Sequence, residues 1–329
     1  MATRDRPTIR PTPFDKTHSS RVLPATAMKT SSLRRFLSAA FATISAGAVS
    51  ISAQGGPPLA AGDQEWQLLT SGIFRSSSDV DAGGDVSSND YRIQLGGRYG
   101  LEGGRTLGAS LEYQLFDYDF STPGGWSEIE RLDLGLSYSH PLSRTSSLFA
   151  SPSVGFAAES GGLDSDSLTY GGIFGYSRQV DSTLTLGIGA GVFFGLEDTS
   201  GFPVVLVRWQ INDDWRLGNP FRPGPAGPAG LELVYTGFES WELGFGASYR
   251  SERFKLDDGN PATASYGEDK GVATFLRASR PLGPGSHLNL YLGTIVGGEL
   301  TWDDASGHTL ARSDYDPSFL AALAFTASF

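Results

Sequence analysis

The chain has 329 residues, 43 of them glycine and none cysteine, with 36 acidic against 25 basic side chains. The missing cysteines exclude disulfides and thiolate metal sites, and a net charge of −11 lacks the basic stripe a nucleic-acid binder needs. A hydrophobic content of 39% with no long apolar run beyond Ala60 excludes a bundle of membrane helices, each of which needs about 20 such residues.

Residues 1–27 are polar and proline-rich without periodicity, and read as an over-long start. Met28 opens a basic stretch with Lys29, Arg34 and Arg35, followed by an apolar run from Phe36 to about Val49 and small residues to Ala53. That order is the layout of a bacterial signal peptide over residues 28–53. Removing residues 1–53 takes away eight basic and two acidic residues and leaves 17 basic against 34 acidic. Residues 54–62 form a flexible lead-in, and residues 63–329 one domain.

From Asp63 onwards apolar and polar residues alternate. Tyr91, Ile93, Leu95 and Tyr99 share one parity and Arg92, Gln94 and Arg98 the other. The pattern recurs in Leu107–Leu115, Leu132–Tyr138, Leu184–Phe194, Trp241–Tyr249 and Leu288–Leu292. The runs last about 9–13 residues, the length that crosses a bilayer at a tilt, where soluble strands average about 5–6. Short turns such as Glu102-Gly103-Gly104 and Gly283-Pro284-Gly285 alternate with longer acidic loops at 77–88, 121–126, 159–166, 257–269 and 303–316. This predicts an all-β, antiparallel up-and-down transmembrane barrel with acidic loops outside. Counting Trp215–Phe221 as a strand gives 14, an even number that returns both ends to one side, and twelve is the alternative if two weak runs are not strands.

Charge avoids the apolar parity in mid-strand, as it must if that face meets lipid, where a charge costs about 2–4 kcal/mol at the midplane. Arg92, Arg98, Glu112, Arg131, Asp133, Arg208, Glu242, Arg250 and Glu252 all fall on the opposite parity and are the candidate lumen residues. Together with inward glycines they predict a wet, polar interior. Trp66, Tyr99, Tyr138, Tyr176, Trp209 and Trp241 sit on the apolar parity near the periplasmic ends, as an aromatic girdle requires.

The chain closes on P-S-F-L-A-A-L-A-F-T-A-S-F, in which Phe319, Ala321, Leu323, Phe325, Ala327 and Phe329 share one face. This ending looks like the carboxy-terminal signature of outer-membrane barrels, which implies that Phe325 and Phe329 are read by the barrel-assembly machinery. The stretches L-G-F-G-A-S-Y-R-S-E-R-F-K-L-D-D and G-G-E-L-T-W-D-D-A-S-G-H-T-L-A-R-S-D-Y-D-P, within residues 230–329, resemble an uncharacterised family of bacterial outer-membrane β-barrel proteins. The resemblance implies the fold and a place in the outer membrane, beside its lipid and lipopolysaccharide, and carries no site residues.

No catalytic constellation is present in the sequence. His308 with Asp303, Asp304, Asp314 and Asp316 is an acidic loop with a histidine, His140 and His287 are rim residues, and no G-x-S-x-G elbow occurs. Gly187-Ile188-Gly189-Ala190-Gly191 lies inside a strand, so it is no nucleotide loop. Asp79, Asp81, Asp85 and Asp90 match no calcium loop spacing. No cofactor or metal site is expected. The reading is a passive, porin-like channel for small polar solutes. The alternatives are a closed structural or adhesive barrel displaying acidic loops, and a barrel hydrolase acting on lipid, lipopolysaccharide or peptide.

Overall fold

The structure is a computed structural model that describes residues 59–220, 224–225, 227, 229–258 and 264–329. The expected leader, signal peptide and most of the lead-in lie outside the described residues, as does Phe221 at the end of the expected strand from Trp215. Strands run β1 Gln64–Asp79, β2 Asp85–Gly100, β3 Thr106–Phe120, β4 Glu128–Pro141, β5 Ser146–Glu159, β6 Leu168–Gln179, β7 Leu184–Gly195 and β8 Asp198–Gln210. They continue with β9 Trp215–Gly218, β10 Gly230–Tyr235, β11 Glu242–Lys255, β12 Tyr266–Gly283, β13 Ser286–Asp303, β14 Thr309–Tyr315 and β15 Ser318–Ser328.

Each strand pairs antiparallel with the next through β13, and β15 closes the sheet on β1 from Gln67↔Ser328 to Arg75↔Leu320. The outer part of β13 pairs with β14 and its other part with β15. These two are therefore halves of one stave, interrupted at Asp316-Pro317, where proline has no N–H to give the ladder. The fifteen strands thus make a closed barrel of fourteen staves, the expected number. The short turns mark the periplasmic end, which also holds Gln64 and Ser328.

The apolar parity faces outward on every long stave. Tyr91, Ile93, Leu95, Leu111, Leu134, Phe174, Ile188, Leu276, Leu292 and Leu323 stay exposed although no water-soluble fold would leave such a belt bare. Trp66, Tyr99, Tyr138, Trp209 and Trp241 are exposed at its periplasmic edge. An outside that is apolar all round and a sheet that closes on itself are the two conditions for crossing lipid with strands. The chain is an outer-membrane type of β-barrel.

Two departures from the expected loops matter later. The first loop is short, since Asp79 pairs with Asp85 across it, and Asp90 is turned inward on β2. The segments expected as loops from 257 to 269 and from 303 to 316 contain strand residues: Asp269 lies well inside β12, Asp303 ends β13, and β14 follows. Their polarity disguised them, since Asp269 and Asp303 are buried only through partners on other strands.

The wall is also uneven. β9 has four residues and β10 six, between neighbours of thirteen and fourteen. Above Asn219, whose backbone N–H donates to the Val207 carbonyl and whose side-chain Oδ1 accepts from the Val207 N–H, the edge of β8 has no strand beside it among the described residues. Alternation turns Pro203 to that same edge, so the one β8 position without an N–H falls where no described strand asks for one. β11 stays paired with β12 but has no described strand on its β10 side above Tyr249, and it bends inward until Lys255 bridges Ala158 of β5 in parallel. The outer end is therefore closed as a ring of nine staves, five from β1–β5 and four from β11–β15. β6–β8 are left as a separate lobe.

Candidate functional site

The outer half of β11 is a partition. Its even residues Arg250, Glu252 and Phe254 face the nine-stave ring, and its odd residues Tyr249 and Arg253 face the β6–β8 lobe. Tyr249 packs with the lobe's apolar cluster, and Arg253 donates to the carbonyl of Leu196 in the β7–β8 turn.

Inside the ring, charge is tied up across the lumen. The Asp269 carboxylate on β12 is fully buried and receives Arg75 of β1 at 2.9 Å, Tyr118 of β3 at 3.0 Å and Tyr315 of β14 at 2.8 Å, with Arg250 of β11 at 3.5 Å. Arg131 of β4 crosses to Glu252 and to the carbonyl of Arg253. Arg92 lies 3.6 Å from Glu112, Arg98 pairs with Glu65, and Gln114 donates to Asp90 at 2.9 Å. Towards the periplasm, Arg277 meets Glu232 at 2.6 Å and Arg216 meets Glu242 at 2.7 Å. Above this layer Phe116, Tyr118, Trp126, Ile129, Phe254, Leu256 and Leu300 form a dry cluster that fills the outer end. Trp126 stands edge-on to Phe254 with centroids 5.0 Å apart.

The lobe is different. The inward side chains Ile173, Phe193 and Phe202 are buried together with Phe149 of the adjoining β5, with Val204, Leu206 and Tyr249 against them. This corrects the expectation of a polar interior all round the barrel: the inward parity of β6–β8 holds glycines and large apolar residues. Gly191 is inward because a Cβ there would stand 2.4 Å from the Phe202 ring, so the glycine makes room for an aromatic rather than for water.

Of the candidate lumen residues, Arg92, Arg98, Glu112, Arg131, Asp133, Arg250 and Glu252 all turn to the interior of the ring, most of them in the pairs above. Glu242 lies near the periplasmic mouth with Arg216, and Arg208 is exposed at the periplasmic end of β8, away from the others. Asp269, Arg75, Tyr118, Tyr315, Arg277 and Glu232 carry as much of the network and were not singled out in the sequence. Parity counted from Ser71 and Ile73 places Arg75 inward; nothing local marks Asp269 as the point where five strands converge. Phe325 lies on the outward face of β15, and Phe329 beyond it is exposed with its backbone paired to Trp66.

The loop chemistry is local. The Ser306 hydroxyl lies 2.6 Å from Asp304 Oδ1 and 2.7 Å from His308 Nδ1. In a nucleophilic relay the imidazole stands between serine and acid; here the serine stands between, and the group closes a turn. The Ser306 hydroxyl and the backbone N–H of His308 and Ser306 hold Asp304 below the usual carboxylate range. The Lys255 ammonium does the same for Asp164, tying the β5–β6 loop to the top of β11. Asp303 is not part of the loop group, since it pairs with Arg253 at 2.5 Å.

Residues 107–329 match the model of a domain of unknown function, DUF6268, a match that reaches well before Gly230. No functionally curated protein is significantly similar in sequence. Among solved structures the chain is similar to the COG4313 outer membrane channel from Pseudomonas putida F1, at 12% identity and TM-score 0.48, covering 84% of this chain and 99% of that one. It is also similar to the Pseudomonas putida toluene transporter TodX, at 10% identity and TM-score 0.39 over 85% and 93% of the two chains. The NanC porin aligns at 11% identity and TM-score 0.38 over 79% and 98%.

Proposed function

This chain belongs to the DUF6268 family, and we propose that it is a passive channel of the bacterial outer membrane for small solutes. The observation that supports this most is the pairing of fourteen staves with a charged interior. About eight strands already make a barrel that its own side chains can fill, and buried ion pairs are a poor source of stability compared with well-packed apolar residues. A barrel with only a structural task has use for neither. A wide wall that carries charge inside suits a path for solutes, with the ring's ion pairs setting the field along it.

The periplasmic mouth, with Arg208, Arg216 and Glu242, is the wet entrance in this reading, and the Asp269 junction with the aromatic cluster above it is the constriction that must give way for a solute to pass. Phe325 and Phe329 serve in assembly by the outer-membrane machinery. Replacing Phe329 by Ala lowers the amount of folded barrel in the membrane without changing the conductance of what does fold.

Single-channel recording of the processed protein extracted from outer membranes tests the reading. Stable steps, with an ion selectivity that changes when Arg131 is replaced by Ala, support it. Silence from correctly folded, heat-modifiable barrels refutes it and leaves a structural barrel that displays acidic loops.

A further inference from the structure

We propose that a groove in the lipid-facing wall over β4–β7 binds one anionic phospholipid of the periplasmic leaflet, with an acyl chain over Ala150 and the phosphate at Arg178. The site is on the outside of the barrel and is independent of what passes through it. The groove has a volume of about 680 Å³, within the range of sites that take whole small molecules. Tyr138 and His140 of β4, Leu148 of β5, Phe174 and Tyr176 of β6 and Ile188 of β7 are its walls.

Its apolar part is open. These side chains fall on the outward parity, and Leu148, Phe174 and Ile188 are exposed by 44%, 58% and 67%. The register puts Ala150 opposite both Tyr138 and Phe174, so a methyl group stands where its neighbours on either side carry rings. An acyl chain laid over that methyl touches both rings, and close packing of this kind is what drives association inside a bilayer.

The periplasmic end is polar and short of acceptors. Tyr138 and Tyr176 stand at the level of the aromatic girdle, which lies at headgroup depth. Arg178 follows Tyr176 on the same face, about 7 Å further along the strand towards the periplasmic turn, and Arg144 lies in the adjoining β4–β5 turn. Neither guanidinium has an ion-pair partner among the described residues. The His140 Nδ1 is buried without a hydrogen-bond partner among them. The one acid in the two turns, Asp181, accepts from the backbone N–H groups of Thr183 and Leu184 at 2.7 and 2.9 Å and from the Thr183 hydroxyl at 2.8 Å, so its carboxylate closes its own turn. Positive donors at headgroup depth with no acid to answer them select a phosphate, and a net negative lipid over a zwitterion. A second barrel is the poorer occupant, since two copies meeting on this face about a twofold axis would bring the arginines of both rims together.

The processed protein is extracted from outer membranes in mild detergent, delipidated and titrated with phosphatidylglycerol or phosphatidylethanolamine of the same chains, and bound lipid is counted by native mass spectrometry. Heat-modifiability confirms that each variant is a folded barrel. One phosphatidylglycerol per barrel is expected, retained over the ethanolamine lipid. Arg178→Gln lowers its affinity about fivefold, the worth of one arginine at a lipid surface. Ala150→Phe fills the groove with an apolar ring on a face that already meets lipid, and lowers the affinity without touching the charge. Arg280→Gln, beside Trp241 at the periplasmic rim and outside the groove, leaves it unchanged. Binding without saturation, equal retention of the two lipids, or equal loss in Arg280→Gln and Arg178→Gln marks an unselective lipid annulus and overturns the proposal. Undiminished binding in Ala150→Phe overturns it as well. A dimer that Ala150→Phe splits also overturns it and assigns the groove to a second barrel.

Discussion

The nine-stave ring and the β6–β8 lobe share one wall, one alternation and one outward belt, yet their interiors have opposite chemistry. In the ring, the inward parity reads Arg75, Asp90, Arg92, Glu112, Arg131 and Asp269, and the side chains reach across to one another. In the lobe it reads Ile173, Gly191, Phe193 and Phe202, and they pack on their neighbours and on Phe149 of the adjoining β5. The difference teaches that lipid dictates only the outward half of the alternation. The inward half answers to whatever stands opposite, and β11 decides what that is.

Replacing Asp269 by Ala tests the ring most severely. It leaves Arg75 and Arg250 with no carboxylate between them, and removing one partner from a buried pair costs about 3–5 kcal/mol. The expected outcome is a marked fall in the temperature of the heat-modifiability shift and, because five strands lose their common tie, a larger conductance. A similar melting temperature would mean that the ring is held by its aromatic cluster alone.

Phe202→Ala is the corresponding change in the lobe. Truncating a ring in a dry core costs about 3–5 kcal/mol. Both Phe202 and Phe116 are buried in packed clusters, so the melting temperature falls about as far as in Phe116→Ala in the ring. A clearly smaller fall would mark the lobe as the looser of the two interiors. Gly191→Ala sharpens the same point: the added methyl meets the Phe202 ring, and overpacking of this kind costs about 1–3 kcal/mol.

Arg131→Ala acts on function as well as stability, and its distinguishing readout is selectivity. It frees Glu252 at the partition, so the permeability ratio shifts towards cations, and raising the salt concentration reduces the shift because screening acts on a solvated carboxylate.

The smallest effect belongs to the exposed loops. Asp304 has a folded pKa below its unfolded value, so its contribution is present above the unfolded pKa of about 3.9 and is lost as pH falls through the lower folded value. Asp304→Asn therefore melts slightly below the parent at neutral pH and level with it in acid. The difference stays far below that of any ring variant.

Much of the fold was legible in the residues. Leu132, Leu134 and Leu136 against Arg131 and Asp133 announce a strand with lipid on one side, and the same arithmetic led to fourteen staves. Where it failed, the cause was physical. Asp269 and Asp303 sit in acidic stretches that look like loops, because a buried carboxylate met by partners from remote strands leaves no local trace. The lobe's apolar interior was hidden by its glycines, which look like a polar lining until the rings that fill them are seen. The partition was not legible at all, since it depends on the brevity of β9 and β10, and most of Arg222–Gly230 between them has no periodicity to read.

By itself, then, the sequence determined that this chain crosses a membrane with strands, which side of each strand meets lipid, and how many staves close the wall. Those are consequences of local alternation, and a period of two is written in neighbouring residues. Only the tertiary structure decided which inward groups meet. Arg75 and Asp269 are 194 positions apart, and Lys255 reaches Ala158 only because two short staves let β11 turn inward. Contacts across a lumen follow from closure and strand length together, and no segment of the chain holds that information alone.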